Sequence, residues 1–398
     1  MQKISTRVAT LAQSQTLAMS QKSNELKAQG VDVINLSVGE PDFNTPAHIK
    51  AAAVRAIGDN FSFYTPVPGY LSLRKSIAAK LSRENGLIYA PEQIVVGNGA
   101  KQALCNVILA TVNPGDEVVI PTPAWVSYVE MVKLAEGRVV EVPTGIADDF
   151  KVTPAQLEGA MNERTRAVLL CSPSNPTGSV YSAAELQALV DVIARYPDVL
   201  VIADEIYEHI NYTHKPFTSL GSFPELAGRV VIINGVSKAY AMTGWRIGYC
   251  AAPVEIAKAV TKLQGQYTSG ASSIAQKAAE AAYDASQDCV EEMRRAFERR
   301  RDLVVRLARE IPGLKVNEPQ GAFYLFPEVS AYIGKRAGER LIENSSDLAM
   351  YLLEEAHVAT VDGAAFCAPG YIRLSYATSD ENIAEAMRRI AAALGRLV

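Results

Sequence analysis

From about residue 93 to 252 the chain alternates short, nearly continuous apolar runs with longer stretches of helical period. The runs are Ile94-Val95-Val96, Val118-Val119-Ile120, Val139-Val140, Ala167-Val168-Leu169-Leu170, Leu200-Val201-Ile202-Ala203 and Val230-Val231-Ile232-Ile233. Strands with one wet face would alternate apolar and polar residues, so unbroken runs predict strands buried on both faces. Separated by helices, they predict a mostly parallel α/β sheet covered on both sides. Beyond about residue 280 the texture changes. Val290, Met293, Phe297, Val304 and Leu307 recur at helical spacing through the charged run from Glu291 to Asp302, predicting a long helix with a solvated face. A mixed region around Gly321-Ala322-Phe323-Tyr324 and a closing helix from Glu381 to Leu397 complete an α+β part. The expected organisation is a large α/β domain over 46–285 and a smaller α+β domain built from 1–45 and 286–398. No internal repeat or low-complexity linker interrupts it.

Composition narrows the functional classes. The chain has 398 residues, 48% of them hydrophobic, and a net charge of −4, enough for one large domain and a smaller one. No basic run or basic, aromatic-laced patch supplies the electrostatic footprint of nucleic-acid binding. The first residues lack the apolar core of a signal peptide, and no apolar stretch is long enough for a bilayer, so neither membrane nor export is expected and the location is read as cytoplasmic. Five cysteines without CxxC spacing suggest neither a disulfide framework nor a zinc site; most are expected to be small buried hydrophobes. Four histidines without metal-ligand spacing give no reason to expect a metal.

Polar and glycine-rich segments gather at the carboxyl ends of the predicted strands, where the loops of such a sheet open into a crevice. Gly97-Asn98-Gly99-Ala100-Lys101 follows one strand, Cys171 to Gly178 another, Asp204 ends a third, and Ser237-Lys238 lies past a fourth. Lys238 sits in Ser237-Lys238-Ala239-Tyr240-Ala241-Met242-Thr243-Gly244-Trp245-Arg246-Ile247-Gly248. An apolar, small-residue setting lowers a lysine's pKa by desolvation and frees its amine to form an imine. Arg246 can clamp a phosphate with two parallel hydrogen bonds, and the helix opening at Gly99-Ala100-Lys101 offers free N–H groups to the same anion. Asp204 ends an apolar strand, where an ionised carboxylate is costly unless a positive group compensates. A pyridinium nitrogen would be such a group. Tyr207 and Asn175 are placed to hydrogen-bond a phenolic ring oxygen, and Trp125 to stack on a ring. Singly, these residues read as a turn, a helix start or core. As a set they point to pyridoxal 5'-phosphate.

In this pattern the chain resembles the class I/II aminotransferases of the aspartate aminotransferase superfamily, and most of all their bacterial aspartate aminotransferase subgroup. The shared motifs run from Gly39-Glu40-Pro41-Asp42-Phe43 through Tyr64, Asn175-Pro176-Thr177-Gly178, Asp204-Glu205-Ile206-Tyr207 and Lys238 to Arg373-Leu374-Ser375-Tyr376-Ala377. The resemblance implies that Lys238 bears the cofactor, Asp204 pairs with its ring nitrogen, and Asn175 and Tyr207 hold its ring oxygen. It further implies that Trp125 stacks on the ring, while Gly99, Ala100, Lys101, Ser237 and Arg246 surround the phosphate. Arg373 and the backbone at Gly39 would receive the substrate α-carboxylate. Lys101, with Ser14 and Thr16, would receive the distal carboxylate of aspartate or glutamate. By the same resemblance Tyr64 reaches the phosphate of a neighbouring subunit, so a homodimer with shared active sites is expected.

The implied activity moves the amino group of L-aspartate or glutamate to 2-oxoglutarate or oxaloacetate in two ping-pong half-reactions. An aminotransferase for aromatic or other amino acids, and a β-lyase, stay open as alternatives on the same fold. Two positions depart from the pattern. Gly235 stands where many relatives carry a phosphate-binding serine, and Ala12-Gln13 stands where relatives that also use prephenate carry a basic residue.

Overall fold

A computed structural model describes residues 4–13 and 15–398. All six apolar runs are strands of one seven-stranded sheet: Ile94–Asn98, Glu117–Thr122, Arg138–Pro143, Thr165–Cys171, Leu200–Asp204 and Val230–Gly235, with Ile247–Ala251 as the seventh. Across the sheet the order is 94–98, 247–251, 230–235, 200–204, 165–171, 117–122, 138–143. The pairings are parallel except the two made by 247–251, which runs antiparallel to both of its neighbours. That strand is absent from the sequence reading. It holds two residues of small side chain, Gly248 and Ala251, and follows Lys238 with only a short 3-10 turn, Thr243–Trp245, between them.

The unbroken apolar runs have a direct structural cause. Val96, Val119, Val168, Val201 and Ile232 belong to the hydrophobic cluster on one face of the sheet. Their neighbours Val95, Val118, Ala167, Leu200, Ile202 and Val231 belong to the cluster on the other. Successive side chains point to opposite faces, so only a sheet covered twice needs apolar residues at every position.

The remainder centres on the long helix Asp288–Arg309 and the closing helix Asp380–Leu394, with a three-stranded antiparallel sheet ordered Val361–Asp362, Ile372–Ser375, Tyr324–Leu325. The N-terminal segment joins this part through a parallel pairing of Ile34–Asn35 with Val358–Ala359. Its core takes in Ile206, Tyr207, Ile210 and Tyr212, from the loop that leaves the 200–204 strand. The cysteines differ from expectation: Cys250 is buried, while Cys105, Cys171, Cys289 and Cys367 are half-buried. Cys171 is the last residue of its strand and Cys289 lies in the first turn of its helix, so their surroundings are incomplete. Among the described residues no helix is long and apolar enough to cross a membrane.

The loop after Asp204 is anchored from behind. Lys80, 1% exposed, is ion-paired to Glu208 and donates to Asn85 Oδ1 at 2.8 Å. Glu208 also accepts from Asn85 Nδ2 at 2.7 Å and Asn234 Nδ2 at 2.6 Å. Burial pushes the Glu208 carboxyl up, but the Lys80 and His209 charges and these hydrogen bonds outweigh it and hold it below the usual carboxylate range. A satisfied buried network of this kind resists rearrangement, because breaking it leaves a charge without a partner. Asp204 and Tyr207 are thus carried on a loop fixed from its far side.

Candidate active site

A cavity of about 350 Å³ opens at the carboxyl ends of the parallel strands. Its lining includes Thr16, Gly39, Ala100, Lys101, Trp125, Asn175, Asp204, Tyr207, Ser237, Lys238, Arg246 and Arg373. Residues singled out in the sequence therefore converge from segments spread over the whole chain. Gly99 lies just behind them. Tyr64 does not line the cavity of its own chain and is fully exposed, at 100%. Ser14 lies outside the described residues.

The Lys238 amine donates to the Gly39 carbonyl at 2.6 Å and lies over the rings of Tyr207 and Phe323. Burial pushes its pKa down to about 8, and the guanidiniums of Arg373 and Arg246 push in the same direction. At neutral pH a useful fraction of this amine is unprotonated, which an ordinary lysine is not. Across the cavity Asp204 is 5% exposed and accepts from the Tyr128 hydroxyl at 2.6 Å and the Ile206 amide at 3.3 Å. Burial pushes its carboxyl up, and no cation pairs with it among the described residues. A ring N–H in front of it would supply the missing positive charge.

The anion cradle rests on glycine geometry. Gly99 has φ +80° and caps the helix Ala100–Thr111, whose first N–H groups have no partner within the helix. The Arg246 guanidinium folds over Gly99 into the space that a Cβ there would fill, donating to the Thr243 carbonyl at 2.7 Å and the Asn98 carbonyl at 3.3 Å. Gly235 is explained in the same way. A Cβ at that position would lie 2.7 Å from Gly248 Cα and 2.8 Å from the Ile247 carbonyl, so the serine of many relatives does not fit this backbone. Ser237, which lines the cavity, is the hydroxyl in reach.

Arg373 is 2% exposed. Its Nη1 donates to Asn175 Oδ1 at 2.9 Å and its Nη2 to the Ser37 carbonyl at 2.6 Å, while Nε is buried without a partner. Tyr324 and Phe366 lie against the guanidinium, with ring centroids 4.5 and 4.9 Å away. No carboxylate of the described residues pairs with it. A buried cation with neutral partners, facing a cavity, is a receptor for an anion. Lys101 provides a second positive group, its Nζ 4.9 Å from the Trp125 ring centroid. Partial burial and the Arg246 charge push its pKa down.

Among the lining residues that escaped the sequence reading are Tyr128, Tyr324 and Glu40. Tyr128 falls one turn into the segment that contains Trp125, but its partner Asp204 is 76 positions away. Tyr324 lies in the Gly321-Ala322-Phe323-Tyr324 stretch, whose only local signal is its change of texture.

A buried lysine of lowered pKa, a buried carboxylate without a cation, a helix N-terminus beside a guanidinium, and the side chains of Tyr207 and Asn175 line one cavity; the set fits pyridoxal 5'-phosphate, and this is a pyridoxal-phosphate enzyme. Residues 31–390 match the family "Aminotransferase class I and II", and the chain belongs to it. It is 48% identical to the aspartate/prephenate aminotransferase of Nitrosomonas europaea over 98% of this chain and 100% of that one. It is also 48% identical to the aspartate aminotransferase of Geobacillus stearothermophilus, covering 98% of each. The crystal structure of the aspartate aminotransferase from Rhizobium meliloti superposes with a TM-score of 0.96 at 44% identity over the full length of both chains. The Thermus thermophilus aspartate aminotransferase with maleate superposes with a TM-score of 0.92 at 41% identity, covering 99% of this chain and 100% of that one.

Proposed function

We propose that the protein transfers the amino group of L-aspartate or L-glutamate to 2-oxoglutarate or oxaloacetate. The observation that carries this reading is the pair of cations in one cavity: Arg373, buried with no carboxylate partner, and Lys101 beside Trp125. A dicarboxylic amino acid has one carboxylate for each, and burying it with either unpaired would be costly. The names of the relatives point the same way, and the maleate of the Thermus thermophilus structure is itself a dicarboxylate.

The residues divide the work. Arg373 receives the α-carboxylate, and Gly39 contributes backbone beside it. Lys101 and Thr16 receive the distal carboxylate. Ala100 and Lys101 N–H groups, Ser237 and Arg246 fix the phosphate, while Trp125 covers one ring face. Asn175 spends its Oδ1 on Arg373, so its Nδ2 remains free to donate to the ring oxygen alongside Tyr207. Bound pyridoxal phosphate supplies the electron sink that loosens the substrate Cα–H bond, and Asp204 keeps the ring nitrogen protonated so that the sink stays strong. Lys238 would serve as the proton carrier, its amine taking the proton from the substrate Cα as a base and returning it as an acid to the cofactor carbon on the other side of the shared nitrogen.

Replacing Lys101 with alanine is expected to lower kcat/KM for aspartate by about 10- to 100-fold, the value of one charged hydrogen bond, and to leave monocarboxylic donors nearly unchanged. The rate of spectral conversion with each amino acid, without an oxo-acid acceptor, measures this. Unchanged aspartate turnover with aromatic donors dominant would replace this reading with the aromatic alternative.

We also infer a homodimer with shared sites, and a division into domains at 46–285 and at 1–45 with 286–398. The separate hydrophobic cores of the seven-stranded sheet and of the C-terminal part support the division. Fully exposed Tyr64, with exposed Val54, Ile57 and Phe63 nearby in sequence, supports a partner surface. Mixing inactive Lys238→Ala and Tyr64→Ala chains is expected to restore activity, because a hybrid would hold one intact site. No recovery in a mixture shown to exchange subunits would overturn sharing.

A further inference from the structure

The Tyr207 hydroxyl has a buried partner outside the roles assigned above. It lies 2.7 Å from the Tyr324 hydroxyl, and the two rings meet edge to face at 5.8 Å. Tyr324 is 1% exposed and Tyr207 3%. The Tyr324 ring also covers the Arg373 guanidinium, and its hydroxyl occupies the place a Cβ on Gly39 would take. Two residues before it, the Ala322 carbonyl accepts from the hydroxyls of both Tyr212 and Tyr376. Tyr324 thus touches the groups proposed to hold the ring oxygen and the substrate carboxylate.

We propose that Tyr324 is a positioning residue that fixes the direction of the Tyr207 hydroxyl proton and thereby sets the charge carried by the cofactor's ring oxygen. The inference rests on the reading of Tyr207 as a donor to that oxygen. A phenol has one proton to give and lone pairs with which to accept. If Tyr207 gives its proton to the ring oxygen, the proton between the two tyrosines belongs to Tyr324. The result is a directed chain from Tyr324 to Tyr207 to the ring. Each bond in such a chain polarises the next, strengthening it by roughly 10–30%. A stronger bond from Tyr207 stabilises negative charge on the ring oxygen. That oxygen then holds the proton of the neighbouring cofactor–lysine nitrogen less tightly, and the pH at which the nitrogen loses its proton falls.

The test is a spectroscopic pH titration of the holoenzyme, whose visible absorbance changes as that nitrogen loses its proton. Tyr207→Phe is expected to raise the midpoint, and Tyr324→Phe to raise it by on the order of a quarter as much. The double variant is expected to match Tyr207→Phe alone, since Tyr324 acts only through Tyr207. A shift in Tyr207→Phe with none in Tyr324→Phe would overturn the inference while sparing the role of Tyr207. A Tyr324 effect that persisted in the double variant would overturn it too. No shift in Tyr207→Phe would remove the role of Tyr207 and the inference with it.

Discussion

Replacing Lys238 with alanine is expected to leave a folded protein that binds pyridoxal 5'-phosphate without a covalent bond and turns over at least about 10⁴-fold more slowly, the upper range for loss of a positioned acid–base group. Borohydride reduction followed by peptide mapping is the direct check: the wild-type chain should retain the cofactor on the peptide containing Lys238, and the variant should retain none. A stable adduct on another lysine would move the assignment. The structural basis is specific to this amine. Burial with two guanidiniums nearby brings its pKa to about 8, and the Gly39 carbonyl at 2.6 Å holds it facing the cavity. Capture of the cofactor by the free protein should accordingly rise with pH through a midpoint near 8, because only the unprotonated amine reacts. Lys238→Arg would keep a charge in the same place and still fail, since an arginine does not give up its proton at these pH values.

Replacing Arg373 with alanine is expected to lower kcat/KM by about 10²- to 10⁴-fold for every amino-acid donor alike, whatever its side chain. Two hydrogen bonds to a carboxylate, each worth about 1.5–3 kcal/mol when charged, set that size. Half-reaction rates with aspartate, alanine and phenylalanine provide the comparison. A loss confined to aspartate would place Arg373 at the distal carboxylate instead. Arg373→Lys should recover only a small part, because a point charge on a flexible stem cannot copy a planar fork held by Asn175 and Ser37. A second effect follows from the lowering of the Lys238 pKa by the Arg373 charge. Without that charge the Lys238 midpoint should move upward in the alanine variant and stay near its original place in the lysine variant.

The sequence made the sheet legible where physics demanded an unbroken pattern. Strands covered on both faces need apolar residues at successive positions, and all six such runs proved to be strands. The seventh, 247–251, carries Gly248 because it passes so close to the turn at Gly99 and Ala100 that a side chain would collide with it. The constraint that shapes the strand also weakens its apolar signature. Lys238, Asp204 and Asn175 were legible because each stands just past or at the end of a strand in a segment of unusual composition, and Arg246 because it shares the segment of Lys238. Tyr128 and Tyr324 were not, because what distinguishes them is the partner. Tyr128 meets Asp204 across 76 positions, and Tyr324 meets Tyr207 across 117. Arg373 finds the Ser37 carbonyl 336 positions away. A backbone carbonyl is the same in every residue, so no composition or spacing marks it as a partner.

The close passage of Gly235 against Gly248, and of Gly248 against Ala100, bears on how such a site can diversify. Three stretches of main chain meet there with no room for a side chain. Neither glycine can be exchanged alone; transplanting a serine to 235 would require two strands to separate. Side chains that can be exchanged one at a time line the cavity elsewhere, Thr16, Lys101 and Trp125 among them. At this crossing the constraint lies in the backbone itself, whereas elsewhere in the cavity, at Ser237 and Arg246 as at Thr16 and Lys101, it lies in side chains.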